Sequence, residues 1–177
     1  MEPKIYLLPI GNIDFDLKKY LKLTVEKAFQ CAAELMLPMK EELDFAYDAG
    51  RNQYFSTIIL KKIFSRKPKG KRLLGIVDVD LFVPHLNFVF GEADVARGVC
   101  IISLTRLRQE YYGLTQDKAL FFDRAAKEAV HELGHTYALG HCREYKCVMF
   151  FSNSLSDTDR KSAQFCSHCK NLLKVYD

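Results

Sequence analysis

The chain contains the run His131-Glu132-Leu133-Gly134-His135-Thr136-Tyr137-Ala138-Leu139-Gly140-His141-Cys142. On an α-helix, residues four apart share a face, so His131 and His135 can aim two imidazoles at one ion. Glu132 lies about 100° round the helix from His131. It is placed to take a proton from a metal-bound water and is not needed as a ligand. Continuous helix would carry His141 about 240° away from His135. The helix must therefore end and the chain turn back before His141 can ligate, and Gly140 offers a residue able to take positive φ at that turn. Three neutral imidazoles leave an open fourth position on a tetrahedral zinc. Water there has its pKa lowered from ~15.7 towards ~7. With Glu132 passing its proton to a leaving amine, the reaction class is metal-assisted amide hydrolysis. The competing reading, ordinary surface or core histidines, is disfavoured by the third histidine at this spacing.

A second cluster follows at once. Cys142 and Cys147 stand five apart, Cys166 and Cys169 three apart. Two short cysteine pairs form a closed four-cysteine zinc pattern, with no position left for water. This metal would be structural, holding a C-terminal stretch too short to build its own core. Two disulfides are the alternative, which needs an oxidising compartment. His168 lies inside the second pair, but with four cysteines available it reads as an exposed loop residue.

These motifs together resemble the archaemetzincins, a metzincin-clan family of zinc peptidases. The resemblance rests on His131-Glu132-x-x-His135-x5-His141, Cys142-x4-Cys147-x-Met149 and Cys166-x-x-Cys169, with further likeness at Gly75–Pro84 and Leu86–Gly91. It implies His131, His135 and His141 as ligands of a catalytic zinc and Glu132 as general base. It implies Cys142, Cys147, Cys166 and Cys169 as ligands of a second zinc. Met149 matches the family's Met-turn, although methionine is also a common core filler. One position departs from the metzincin pattern: Ala138 stands where that pattern has glycine. Either the turn shifts towards Gly140 or Ala138 is strained, at a cost on the order of 1 kcal/mol.

The elements that must position these residues can be read from periodicity. Lys4–Pro9 reads as a first strand. A helix capped at Asp14 or Asp16 runs to about residue 36, burying Leu17, Leu21, Val25, Ala28 and Ala32. Leu43–Tyr47 reads as a strand and Tyr54–Phe64 as a helix. Leu73–Val79, Leu86–Phe90 and Gly98–Leu104 are strand candidates. A longer helix from about Thr115 to Leu139 carries His131 and His135, and a short helix fits near Thr158–Phe165. This order suggests an α/β (α+β) layer with a mixed sheet. The resemblance implies a metzincin-like version, a twisted sheet with a backing helix, an active-site helix beneath and a small Cys-rich subdomain. One domain is expected over residues 1–177, with an upper subdomain over residues 1–141 and a lower subdomain over residues 142–177. On the family likeness, a peptide would add to the edge of the sheet along Leu86–Phe90. Asp78 and Asp80 share one side of their strand; structural hydrogen bonding is the favoured reading over a reach into the cleft. His85 follows Pro84 in a loop, where a substrate contact is the less favoured reading, and Glu92 and Asp94 carry no assigned role.

Composition is that of a soluble globular protein, 49% apolar and 27% charged among 177 residues. The segment Met1–Tyr6 lacks a basic region followed by a long apolar stretch, so neither an export signal nor an inhibitory pro-segment is expected. No stretch approaches the ~18 apolar residues of a membrane span. A cytoplasmic location is expected, where thiolates stay reduced. Cys31 and Cys100 read as buried free thiols. Seven basic side chains and no acid lie between Lys61 and Arg72. Nucleic acid could be drawn to such a run, but Pro68 and Gly70 and the scarcity of aromatics favour a solvated helix end and loop.

The expected activity is a zinc metallopeptidase with two zinc ions per chain and a peptide or protein substrate. The alternatives are a zinc-stabilised binding module and a hydrolase of a non-peptide amide. Substrate identity, endo- versus exopeptidase action and oligomeric state are not legible.

Overall fold

In the computed structural model the described residues are 4–173; Met1–Pro3, the start of the segment read for an export signal, and residues 174–177 lie outside them. Strands β1 (Ile5–Ile10), β2 (Ala33–Leu35), β5 (Arg72–Val77), β7 (Gly91–Asp94) and β8 (Val99–Ser103) form one sheet in the order β2-β1-β5-β8-β7. All neighbours are parallel except β7, which runs antiparallel to β8 at the edge. A small second sheet joins β3 (Tyr47–Asp48), β4 (Gln53–Phe55) and β6 (Leu81–Phe82).

Side-chain alternation divides the core in two. Ile5, Leu7, Leu74, Ile76, Cys100 and Ile102 face helices α1 (Phe15–Phe29) and α3 (Lys118–Thr136). Leu8, Ile10, Leu73, Val77, Val99 and Ile101 face α2 (Ser56–Phe64). A mostly parallel sheet buried on both faces needs such near-continuous apolar runs. The chain closes with α4 (Leu155–Arg160) and α5 (Ser167–Leu173).

Several boundaries differ from the sequence expectation. Helix α1 starts where Asp14 accepts from the Leu17 N–H, but it ends at Phe29, where Gln30 turns left-handed with φ 52°. Ala33–Leu35 then pairs with β1 instead of continuing the helix. The expected strand Leu43–Tyr47 is mainly a 3₁₀ turn over Asp44–Ala46. Gln53–Phe55 is strand, so α2 starts only at Ser56. Leu86–Phe90 is not a strand: within it only Val89 bridges to Leu81, and the antiparallel edge strand is Gly91–Asp94. Local composition favoured strand there, but sheet register places the ladder one segment later. Helix α3 runs from Lys118, after an Asp117 cap, to Thr136, a turn short of Leu139. Cys100 is fully buried while Cys31 is only half-buried.

Candidate active site

Helix α3 passes under the sheet, and its final two turns are buried almost all round, which brings His131 and Glu132 into the interior beside β7. His131 and His135 orient as their spacing requires. His131 Nδ1 lies 2.8 Å from the Val148 carbonyl and His135 Nδ1 lies 2.8 Å from the Leu139 carbonyl. A carbonyl only accepts, so both Nδ1 atoms carry the proton and both Nε2 atoms present lone pairs. Those two Nε2 atoms face each other at 3.1 Å. Two lone pairs so placed repel unless a cation lies between them. Tetrahedral zinc with Zn–N of about 2.0–2.1 Å brings two imidazole nitrogens to about 3.3 Å, so the pair has the spacing of two ligands of one ion. Burial is the main reason all three histidines have pKa values below the ordinary imidazole range, which keeps them neutral and able to ligate.

His141 completes the set: one ligand atom from each of His131, His135 and His141 lies within 4.8 Å of the others. The turn that brings it there is not made at Gly140. Ala138 takes φ 59°, whereas Gly140 keeps a negative φ. The Ala138 N–H donates to the His135 carbonyl and the Leu139 N–H to the Gly134 carbonyl, at 2.9 and 3.2 Å. These are the bonds of a Schellman cap, whose left-handed position is usually glycine. The same cap presents the Leu139 carbonyl to His135. Strain at Ala138 and orientation of His135 are thus one feature. His141 is exposed and rests against the Phe151 ring, with centroids 4.8 Å apart.

Glu132 is only 7% exposed. Burial raises its pKa well above the carboxylate range, the neighbouring Glu128 and Glu92 add to this, and Lys161 opposes it. Burial and the like charges beside it thus favour the protonated carboxyl more than water would. Room for it depends on Gly91, where an added Cβ would stand 2.6 Å from Glu132 Cγ and 2.6 Å from the Ile101 carbonyl. Gly134 is constrained similarly: a Cβ there would meet Met149 Sδ at 2.5 Å. The fully buried Met149 therefore packs on the helix backbone between His131 and His135. Behind them Lys161, whose side chain is fully buried, pairs with Glu128 at 3.0 Å. Spacing arguments did not find Gly91, Gly134, Glu128 or Lys161 as contributors. The only signal was a glycine in each of two otherwise apolar or motif-bearing stretches.

Histidines 131, 135 and 141 and Glu132 line a cleft of about 400 Å³. One wall is Leu86–Gly91 and the other is Phe151–Asn153. Asp78 and Asp80 do not line it. Asp78 holds Arg108 and Asp80 holds Arg106, both through paired contacts of 2.6–2.8 Å. His85 also lies outside the cleft lining, on an exposed loop with φ 74°. Glu92 accepts from Thr57 Oγ1 at 2.7 Å and from Ser56 Oγ, and Asp94 pairs with Arg97.

Cys142, Cys147, Cys166 and Cys169 gather with their sulfurs within 4.8 Å of one another, and none forms a disulfide. Cys142 and Cys166 Sγ are 3.8 Å apart, the separation that tetrahedral Zn–S bonds of about 2.3 Å impose. Burial pushes the Cys147 and Cys169 thiols up. Four thiolates packed this closely need a cation to hold them. The Cys166 N–H donates to Cys147 Sγ at 3.3 Å and the Glu144 N–H to Cys142 Sγ at 3.4 Å. Helix α5, which carries Cys169, was not foreseen from periodicity, and α4 lies a few residues before the expected Thr158–Phe165. The basic run forms the end of α2 and the loop after it; Lys62 and Arg66 both pair with Glu41.

The family model described as Peptidase family M54 matches residues 31–175. The Archaemetzincin of Pyrococcus furiosus is 40% identical, with 98% of this chain and 94% of that protein covered. The crystal structure of the archaemetzincin from Methanopyrus kandleri superposes with a TM-score of 0.86 at 33% identity, covering 98% of this chain and 94% of that one. A structure described as a zinc-dependent peptidase from Methanocorpusculum labreanum superposes with a TM-score of 0.89 at 28% identity, covering 96% and 99%.

Proposed function

The chain belongs to peptidase family M54, the archaemetzincins, and on that premise we propose that it is a zinc-dependent peptidase in which His131, His135 and His141 hold the catalytic metal and Glu132 is the general base. The observation that carries this reading is the facing pair of unprotonated Nε2 atoms 3.1 Å apart, each fixed from behind by a carbonyl. When bound, zinc would supply a Lewis acid and lower the pKa of water at its open position to about 7.

The chain's own residues do the rest. Glu132, held against Gly91 at the base of the cleft, takes a proton from the attacking water and delivers it to the leaving amine. Leu86–Gly91 on one side and Phe151–Asn153 on the other leave an open trough suited to an extended peptide. Met149 forms an apolar floor below the ligand-bearing turn.

A second, structural zinc on Cys142, Cys147, Cys166 and Cys169 belongs to the same proposal, making two per chain. Residues 142–177 then form the lower subdomain of a single domain, organised by that ion. Reduced thiols arranged for a metal suit a cytoplasmic protein, and among the described residues no helix is long and apolar enough to cross a membrane.

The test is a mass-spectrometric digest of a diverse peptide library by zinc-loaded protein, with Glu132→Ala as control. The variant is expected to retain both zincs and lose about 10²–10⁴-fold in cleavage. Cleavage undiminished in Glu132→Ala would remove the general-base assignment. Metal analysis finding one zinc and oxidised cysteines would remove the structural site.

A further inference from the structure

The wall of the cleft formed by Leu86–Phe88 is not built as a strand. Only Val89 bridges to Leu81, and His85, just before it, sits at φ 74°. Such a segment needs something other than a ladder to hold its main chain. Arg51, in the turn between β3 and β4, and Gln53, at the start of β4, do so from more than thirty residues earlier. Arg51 Nη2 donates to the Leu86 carbonyl at 2.6 Å and to the Asn87 carbonyl at 3.1 Å. Gln53 Nε2 donates to the same Asn87 carbonyl at 2.8 Å.

Each donor is itself fixed. Arg51 Nε donates to Gln53 Oε1 at 3.0 Å, and its guanidinium lies over the Phe82 ring at 4.3 Å. Gln53 is buried and also donates to Asp80 Oδ2 at 3.0 Å. Asp80 is clamped by Arg106, which in turn lies over the ring of Phe88 at 4.3 Å. The network thus grips the wall twice, by its carbonyls through Arg51 and Gln53 and by the Phe88 ring through Arg106. Leu86, Asn87 and Phe88 all line the cleft that holds the three histidines.

We propose that Arg51 and Gln53 are positioning residues for substrate: they hold the Leu86–Phe88 wall in the shape that receives a peptide main chain. The proposal rests on the peptidase reading above. The two residues do not touch the reacting atoms, so their effect falls on binding and not on the bond-breaking step. Preorganised walls lower the ordering cost of binding, and loosening one returns that cost to the complex.

The test uses the zinc-loaded full chain with Arg51→Ala and Arg51→Lys. Arg51 is exposed, so the fold survives its truncation. Hydrogen exchange is followed at residues 84–90 and on helix α3, and a peptide hydroxamate reports affinity without turnover. Arg51→Ala is expected to speed exchange at 84–90 and weaken the hydroxamate about tenfold, the loss of a charge-assisted hydrogen bond. Exchange in α3, zinc content and kcat on a cleaved peptide stay near wild type while KM rises. Arg51→Lys, which cannot span three acceptors, recovers only a fraction of both effects. Unchanged exchange at 84–90 would overturn the proposal. So would faster exchange with unaltered hydroxamate affinity and KM. A wild-type protein that binds no hydroxamate and cleaves no peptide would instead remove the peptidase reading, and this proposal with it.

Discussion

Ala138 shows how one residue can be both a cost and a determinant of the site. Its left-handed φ of 59° closes the cap that ends α3 and aims the Leu139 carbonyl at His135. A residue with a Cβ in this region carries a cost of about 1–2 kcal/mol, so Ala138→Gly is expected to raise the thermal midpoint of the metal-free protein while zinc affinity stays unchanged. A lower midpoint would show that the alanine methyl packs more favourably than its φ costs. Gly91 makes the opposite prediction. Its missing Cβ is the space Glu132 occupies. Gly91→Ala should keep zinc on the histidines yet cut peptide cleavage sharply, with about 1–3 kcal/mol of overpacking destabilisation. Wild-type cleavage rates in that variant would dissociate the two residues. At this scale helical spacing brings His131, Glu132 and His135 to one region of α3, and the chain reversal after it gathers His141 with the other two histidines. The sequence was not readable for Gly91, Gly134 or Lys161, whose roles depend on contacts with residues far along the chain.

Among the elements, the connection from α3 into the cysteine cluster has the widest consequences. His131 and His135 are held by carbonyls at Nδ1, whereas His141 is next in sequence to Cys142. The Cys142 N–H donates to the Met149 carbonyl at 2.9 Å, and its sulfur joins the four-cysteine group. The third histidine is therefore seated largely by its neighbour. Cys142→Ser is expected to lose the cysteine-bound zinc and also to weaken zinc at the histidines about 10–100-fold, the range for losing an outer support. Competition with a zinc chelator, followed by the number of ions retained, reads both effects. Undiminished affinity at the histidines would mean that the Phe151 contact and the cap suffice. Element boundaries were read less well than the motif. Periodicity ran α1 on through Ala33–Leu35, because apolar spacing there fits helix and strand alike, and only pairing with β1 decides between them.

For the molecule as a whole, two clusters of side chains suited to metal and two core faces divide the stabilising work. The sheet and its three main helices bury continuous apolar clusters. The described chain after Gly140 adds to the core a few residues, such as Val148, Met149, Phe165 and Cys169, ties back to α3 through Lys161–Glu128 and Arg124–Asp159, and gathers the cysteine group. A ligand bound only by the folded state stabilises by RT ln(1 + [L]/Kd), about 4 kcal/mol at a thousandfold excess over Kd. Removing zinc is thus expected to lower the thermal midpoint, with protease cuts appearing first beyond residue 141. Equal midpoints with and without zinc, or first cuts within the sheet, would contradict this division. The excess of basic charge does not alter this picture, since Lys62 and Arg66 of the Lys61–Arg72 run are paired with Glu41.

The sequence by itself pointed to the groups that could hold metal. Histidines four apart on one helix, a third beyond a forced turn and two short cysteine pairs admit few arrangements, because helix geometry and metal coordination are both local constraints. Strands β1, β5 and β8 were legible through short apolar runs, and helices α1, α2 and α3 through periods of three to four residues. Only the tertiary structure decided which residue makes the turn, where the edge strand lies and what holds the cleft wall. Ala138, not Gly140, takes positive φ because the Schellman bonds and the His135 contact must close together. The edge is Gly91–Asp94, not Leu86–Phe90, because register against β8 is a property of two segments at once. Arg51 and Gln53 reach Leu86 and Asn87 across 34 to 36 residues, a juxtaposition that no pattern along the chain encodes.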